Sequence, residues 1–84
     1  MYKVLLSSKA SRQLKKLERG VQKRIVDALE RISIRPEAYV SKLVGDKGYK
    51  LRVGDYRVIM DIEKELLLIL VIKVGHRKKI YKKS

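Results

Sequence analysis

The sequence has no cysteine, no asparagine, one proline and one histidine. Without cysteine the chain has neither disulfide bonds nor a thiolate that serves as a nucleophile or metal ligand. Its lone histidine, His76, forms no recognisable cluster of metal-ligating residues. We therefore expect no metal and no other cofactor.

Long apolar runs are missing as well. The longest, residues 66–72, ends at Lys73, whereas a membrane helix needs about 20 apolar residues. The apolar run near the N-terminus, residues 4–6, is far shorter than the hydrophobic region of a signal peptide. The expected protein is cytoplasmic and has no membrane partner.

Positive charge is abundant. The 84 residues include 22 Lys and Arg against 9 Asp and Glu, which gives a formal net charge of +13. Because this charge repels itself in the folded protein, it favours a polyanionic partner. A lysine-rich surface also serves solubility or life at high temperature. Net charge alone leaves these alternatives open.

The first half of the chain predicts a strand followed by an antiparallel helix hairpin. Residues 2–6 are β-prone, and Ser7 or Ser8 can accept a hydrogen bond from the start of a helix. Gly20 offers the left-handed conformation that ends a first helix, and Pro36 stops a second. The apolar positions recur at helical spacing: Ala10, Leu14 and Leu17, then Val21, Ile25, Leu29 and Ile32.

The second half predicts a surface loop over residues 37–48 and then three strands. The strands cover Tyr49–Val53, residues 56–62 and residues 66–74, and a charged turn at residues 63–65 joins the last two. The apolar third strand belongs in the middle of the sheet. The predicted class is α+β: an N-terminal strand, a helix hairpin and a three-stranded antiparallel meander, with the helices on one face of one sheet. So short a chain supplies one core, which predicts a single domain over residues 1–84.

Gly54 and Asp55 form a two-residue turn between the first two strands of the meander. With glycine first, a type II′ turn fits and pairs Val53 with Tyr56. The same register pairs Leu51 with Val58 and Tyr49 with Met60, and these six residues form one apolar face. The opposite face presents Lys50, Arg52, Arg57, Ile59 and Asp61.

In this register Arg52 and Arg57 are direct cross-strand partners. Like charges in that position destabilise a sheet by up to ~1 kcal/mol. A single exposed cation is most often only solvated. Three cations on one short hairpin, with Lys50 as the third, favour an anion site in a chain already at +13.

The basic tail follows the last predicted strand. His76, Arg77 and Lys78 can reach the same face from the end of the sheet, and Tyr81 offers a ring for base stacking and a phenol for proton exchange. Alternatively, Tyr81 packs against the core and so anchors the C-terminus, and His76 is only an exposed histidine at the end of a strand. Cations beside an aromatic ring favour RNA, whose 2′-hydroxyl can attack the adjacent phosphate while arginine stabilises the added charge. These residues fit a metal-independent ribonuclease and plain RNA binding equally well.

Two stretches carry a family resemblance: GYKLRVGDYR, which begins at Gly48, and VGHRKKIY, which ends at Tyr81. With both in this order, the sequence resembles the RelE toxins of the RelE/ParE toxin–antitoxin superfamily along essentially its whole length. The resemblance implies a ribosome-dependent mRNA endoribonuclease that cleaves the message in the A site by 2′-hydroxyl attack, without metal, and so inhibits translation. It also implies an acidic, RelB-like antitoxin as partner, beside the ribosome and mRNA.

The resemblance also implies roles for individual residues. Arg57 and Arg77 would stabilise the phosphate in the transition state, Lys50 and Arg52 would orient and help neutralise it, and Tyr81 would stack on a base and take part in proton transfer. Some bacterial members have lysine at the position of Arg52, and arginine does not release its proton at ordinary pH. Histidine changes charge near neutral pH, so His76 is an alternative general acid or base. The implied RNA-binding residues are Lys50, Arg52, Arg57, His76, Arg77 and Lys78.

Two rival functions remain. ParE-like toxins share the expected fold but inhibit DNA gyrase by binding it. They generally lack this set of cations together with a terminal tyrosine. Gyrase inhibition is therefore ranked below mRNA cleavage. The third possibility is a basic RNA-binding domain without catalysis.

Overall fold

A computed structural model describes residues 1–45 and 47–76. Its elements are, in chain order, β1 (Lys3–Leu6), α1 (Ser8–Lys15), α2 (Arg19–Ile32), a 3₁₀ turn (Pro36–Ala38), β2 (Ser41–Lys42), β3 (Tyr49–Val53), β4 (Tyr56–Glu63) and β5 (Leu68–His76). The strands form one sheet in the order β1-β5-β4-β3-β2. β1 is parallel to β5, and the other neighbours are antiparallel. The predicted α+β class is confirmed, and β2 is an added strand in the segment predicted as loop.

Both helices pack apolar side chains against one face of the sheet. Ala10 of α1 and Ile25, Leu29 and Ile32 of α2 are buried, as their spacing predicts. The sheet contributes the other half of the core: Leu51, Val58, Met60, Ile69, Val71 and Val74. Within the described residues, neither helix is long and apolar enough to cross a membrane.

The junction between the helices differs from the prediction. α1 ends at Lys15, and Gly20 is the second residue of α2 without a positive φ, so the prediction that Gly20 ends the first helix is wrong. The side chain of Gln22, from α2, binds the carbonyl groups at this junction. Nε2 of Gln22 donates to the carbonyl oxygens of Leu17 (2.7 Å) and Lys15 (3.3 Å). These bonds satisfy carbonyls that a helix end leaves without partners.

The last strand begins at Leu68, later than the predicted residue 66. Leu66 and Leu67 lie in the turn after β4, where they are 72% and 47% exposed. Leu67 has a φ of 50°, a left-handed conformation that an apolar side chain rarely adopts. The strand occupies the interior of the sheet between β1 and β4, as predicted.

A β-bulge interrupts β5 at Ile72. Val71 pairs with Met60 and Lys73 pairs with Ile59, so Ile72 is an extra residue without a partner on β4. The extra residue shifts the alternation of side chains along the rest of β5. Val74 therefore enters the core at 1% exposure, while Lys73 moves to the face without helices.

The start of α1 holds the backbone of the bulge. The hydroxyl of Ser7 accepts a hydrogen bond from the N–H of Ala10 (3.0 Å), which caps the helix, and donates to the carbonyl of Ile72 (3.0 Å). Oε1 of Gln13 accepts from the N–H of Val74 (2.8 Å). Backbone groups that β5 presents on the side of β1, beyond the last residue paired with β1, are thus bound by the start of α1.

Gln13→Met should destabilise the protein by about 1–2 kcal/mol, because it leaves the partly buried N–H of Val74 without its acceptor while keeping the side-chain length. Urea unfolding should show a lower midpoint at an unchanged slope. The exposed neighbour Arg12 provides the control, since Arg12→Met should change stability by less than about 0.5 kcal/mol. Equal effects of the two substitutions would show that the bond to the bulge is not stabilising.

The β3–β4 hairpin has the predicted turn and register. Gly54 has a φ of +61°, whereas Asp55 has no positive φ, which distinguishes a type II′ turn from a type I′ turn. Val53 pairs with Tyr56, and Arg52 pairs with Arg57. The local rule for two-residue turns is therefore sufficient to place every side chain of this hairpin on its correct face.

Gly54→Ala and Gly20→Ala should change stability in opposite directions. Alanine at Gly54 must take a positive φ that L residues rarely adopt, and its methyl group meets Nη2 of Arg24 at 2.8 Å, so the substitution should cost about 1–3 kcal/mol. At Gly20 the added methyl group meets no atom within 4 Å, and alanine should stabilise the helical backbone by about 0.4–1 kcal/mol. Thermal unfolding of both variants measures the two effects. A gain at both positions would contradict the assigned turn.

Candidate nucleic-acid interface

The candidate site is the face of the sheet opposite the helices. Arg52 and Arg57 pair across β3 and β4, and Gly75 pairs with Arg57 on the next strand. Gly75 has no side chain, so β5 contributes no Cβ atom beside Arg57 at this position of the row.

A second row of cations lies next to the first. Lys50 pairs with Ile59, and Ile59 pairs with Lys73 on β5. We name the surface of Lys50, Arg52, Arg57 and Lys73 the cationic face. Its side chains surround Ile59 and Gly75, neither of which carries charge. The only acidic side chain in neighbouring positions of β4 is Asp61, opposite Leu70.

Lys73 was missed as a site residue. A regular β5 would place it on the same face as Val71, in the core, because side chains two apart share a face. The bulge at Ile72 reverses this and places Lys73 with the cations. The one sequence signal was that Lys73 interrupts an otherwise apolar strand.

Arg52 and Arg57 differ in their surroundings. Arg57 is half-buried, and its Nε atom has essentially no accessible surface. Arg52 is exposed, and its Nε donates to the carbonyl of Gly54 at 3.4 Å. Arg57 is thus held within the sheet, whereas Arg52 sits at the edge of the sheet and turns towards the hairpin loop.

His76 lies on the other side of the sheet from Arg57. It pairs with Tyr56, whose side chain packs against the core, and the two rings meet edge to face with centroids 5.5 Å apart. This packing fixes the histidine ring at the end of β5. Its predicted part in RNA binding or proton transfer stays a prediction and requires a substrate that reaches around the strand end.

Three other predicted site residues, Arg77, Lys78 and Tyr81, lie outside the described residues. The structure thus brings together Lys50, Arg52 and Arg57 from the predicted set, and it adds Lys73. Within residues 1–45 and 47–76, no three His, Asp or Glu side chains are grouped as metal ligands. What the cationic face can do chemically is bind phosphoryl oxygens and stabilise negative charge.

Comparison with known proteins identifies the family. Residues 4–81 match the sequence model of the ParE toxin of type II toxin–antitoxin systems. The match covers nearly the whole chain. The protein belongs to the ParE toxin family. It is therefore a type II toxin of the RelE/ParE superfamily, as the sequence resemblance predicts. No curated protein sequence matches this toxin.

Solved structures of RelE toxins have a similar fold. A chain of the RelBE2 toxin–antitoxin complex from Mycobacterium tuberculosis is 26% identical with a TM-score of 0.83, and the alignment covers 90% of this chain and 98% of that chain. The isolated RelE toxin of Escherichia coli is 27% identical with a TM-score of 0.74, over 99% of this chain and 94% of that one. The archaeal RelE–RelB complex from Pyrococcus horikoshii shares the fold at 24% identity and a TM-score of 0.75, over 90% and 94% of the two chains.

Removal of charge at Arg52 should stabilise the isolated toxin. Arg52→Gln relieves the repulsion with Arg57, so at low salt it should raise the free energy of unfolding by about 0.3–1 kcal/mol more than Arg12→Gln does. Arg12→Gln removes the same charge from an exposed site on α1. Salt at about 0.5 M should reduce the difference, because repulsion between exposed charges is screened. Equal stabilities at low salt would contradict a local repulsion.

Proposed function

We propose that this toxin is an endoribonuclease that cleaves mRNA in the ribosomal A site. The observation that carries the proposal is the cross-strand arginine pair Arg52–Arg57, flanked by Lys50 and Lys73 on the face of the sheet opposite α1 and α2. Such a cluster lowers stability in the free protein, and a phosphate bound between the side chains turns the repulsion into attraction. RNA supplies both the phosphate and the attacking 2′-hydroxyl.

The chemistry requires little beyond charge and alignment. The 2′-oxygen loses its proton and bonds to the adjacent phosphorus, the bond to the 5′-oxygen breaks, and that oxygen takes up a proton. Negative charge on the phosphoryl oxygens grows in the transition state, where Arg57, held half-buried in the sheet, stabilises it. Lys50 and Arg52 orient the neighbouring phosphates.

The tail completes the proposed site. Arg77 shares the stabilisation of the phosphate, and Lys78 binds the RNA backbone. Tyr81 stacks on a base. Tyr81 and His76 are the two candidates for the proton transfers, and His76 can act only on RNA that reaches around the end of β5, because its ring packs against Tyr56 on the helix side of the sheet. The set uses side chains alone, with neither metal nor cofactor.

An acidic, RelB-like antitoxin is the proposed inhibitor. Several structures that this chain resembles are RelE toxins in complex with RelB antitoxins, from bacteria and archaea. A net charge of +13 suits a partner of opposite sign, which associates rapidly and covers the cations. The ribosome and mRNA as targets place the proposed activity in the cytoplasm.

Inhibition of DNA gyrase is the second candidate. The matching family is that of the ParE toxin, and ParE-like toxins are known as gyrase inhibitors. The cationic face ranks this function below RNA cleavage, because a protein-binding inhibitor has no need for like charges in direct cross-strand contact. Without catalysis, the same face would make the protein a simple RNA-binding domain.

Primer extension on mRNA bound to programmed ribosomes tests the proposal. Wild type should produce a cut in the A-site codon, and Arg57→Ala and Arg77→Ala should each slow it by about 10²-fold or more, since each removes a cation from the transition state. Arg12→Ala removes an exposed arginine from α1 and should cleave at the wild-type rate.

A supercoiling assay with DNA gyrase distinguishes the alternatives. If mRNA stays intact and supercoiling is blocked, the toxin is a gyrase inhibitor and the nuclease proposal is wrong. Tight RNA binding with neither activity would leave a non-catalytic RNA-binding domain.

A further inference from the structure

The strand β1 forms an open edge of the sheet. It pairs with β5 on one side and has no neighbouring strand on the other among the described residues. The N–H groups of Lys3 and Ser7 donate to backbone carbonyls on the β5 side, at 2.8 Å and 2.9 Å. Because backbone groups alternate between the two sides of a strand, the N–H and C=O groups of Val4 and Leu6 point outwards. An edge with such groups can pair with another strand.

Exposed apolar side chains are grouped around this edge. Two neighbouring segments are bound to the backbone of β1, because the N–H of Tyr2 donates to the carbonyl of Ser33 (2.7 Å) and the N–H of Lys3 to that of Leu67. These segments and β1 together carry most of the exposed large apolar side chains of the described residues: Met1, Leu5, Leu6, Ile34, Leu66 and Leu67. We name this surface the β1 edge. An exposed apolar patch beside an open strand is typical of a protein–protein interface.

The side-chain charges next to the β1 edge cancel, unlike those of the protein as a whole. Lys3 and Lys64 are opposed by Glu63 and Glu65, whereas the chain carries a net charge of +13. Glu63 and Lys3 flank Leu68 in one row across the sheet. A second copy of the toxin therefore meets less repulsion here than at the cationic face. RNA or a strongly acidic protein finds no cluster of cations on β1 or in the turn before β5.

We propose that two copies of the toxin pair antiparallel through β1, about a twofold axis at Leu5. Val4 of each copy exchanges backbone hydrogen bonds with Leu6 of the second copy, and the two Leu5 residues face each other as the non-hydrogen-bonded pair between them. Lys3 then lies opposite Ser7, so like charges do not meet across the two strands. One sequence satisfies both sides of this contact, as a twofold interface requires.

The proposed dimer has one continuous sheet. Leu5 pairs with Leu70 on the face opposite the helices, so an apolar row of Leu70 and Leu5 from each copy crosses the interface. Both cationic faces lie on the same side of the joined sheet, because paired residues share a face. The two Arg57 rows, on β4 of each copy, are five strand spacings apart, about 24 Å. The dimer leaves both rows uncovered, and its existence does not depend on the proposed nuclease.

Disulfide cross-linking tests the register, since the chain has no cysteine of its own. Leu5→Cys would place two thiols at the twofold axis, where Cα atoms about 4.5 Å apart permit a disulfide bond. The matched control is Lys3→Cys, on the same face of β1, whose two copies would lie more than about 13 Å apart. After oxidation with diamide, non-reducing electrophoresis should show a covalent dimer that forms at least about tenfold faster for Leu5→Cys. Equal rates, or no covalent dimer, would overturn the proposal.

Sedimentation equilibrium measures the dimer without a cross-link. Raising the salt from about 0.05 M to about 0.5 M should strengthen dimerisation of wild type, because salt screens the repulsion between two chains of net charge +13. Leu5→Lys should weaken dimerisation at least about tenfold, because it places two ammonium groups on the axis. Val44→Lys adds the same charge at a 99% exposed loop residue and should weaken it less than about twofold. A monomer at every concentration, or a dimer that salt dissociates, would contradict the proposed contact.

Hydrogen exchange of wild type locates the contact and distinguishes it from pairing within one chain. Concentrating the protein should slow exchange at the amides of Val4 and Leu6, with little change at Lys3 and Ser7, whose amides are already bonded. If Val4 and Leu6 were equally protected in dilute protein, another part of the same chain would cover the edge. The proposal would then be wrong.

Discussion

The bulge at Ile72 is the constraint on which both faces of the sheet depend. It shifts the alternation of β5 so that Val74 completes the core while Lys73 and Gly75 face away from the helices. An irregular backbone persists inside a sheet only if its polar groups are bound. Ser7 and Gln13 bind them, so the same short helix that covers the core also fixes the geometry of the candidate interface.

The hairpin brings like charges together on the cationic face. Arg52 and Arg57 are direct cross-strand partners because the turn imposes the register of β3 and β4. This arrangement costs the isolated protein some stability, and it becomes favourable when an anion binds.

Family membership and reaction are separate questions for this toxin. The ParE family model covers the chain, while RelE structures superpose closely on it. A shared fold does not decide the reaction, because function depends on the side chains that the fold presents. Here the sheet presents the cross-strand pair Arg52–Arg57 with Lys50 and Lys73 beside it, and guanidinium groups bind phosphoryl oxygens.

Local rules in the sequence determined the hairpin and the helix periodicity, whereas β2 was not predicted. The Gly54 turn fixed which residues share a face, because a two-residue loop sets the register of both strands without help from the rest of the chain. Tertiary structure decided the rest. The side chain of Gln22 binds carbonyl groups after α1, and the ring of His76 packs against Tyr56 on a neighbouring strand. Lys73 lies on the cationic face because of the bulge at Ile72. Side-chain contacts and an irregular register of this kind do not follow from the residue pattern of a single strand or helix.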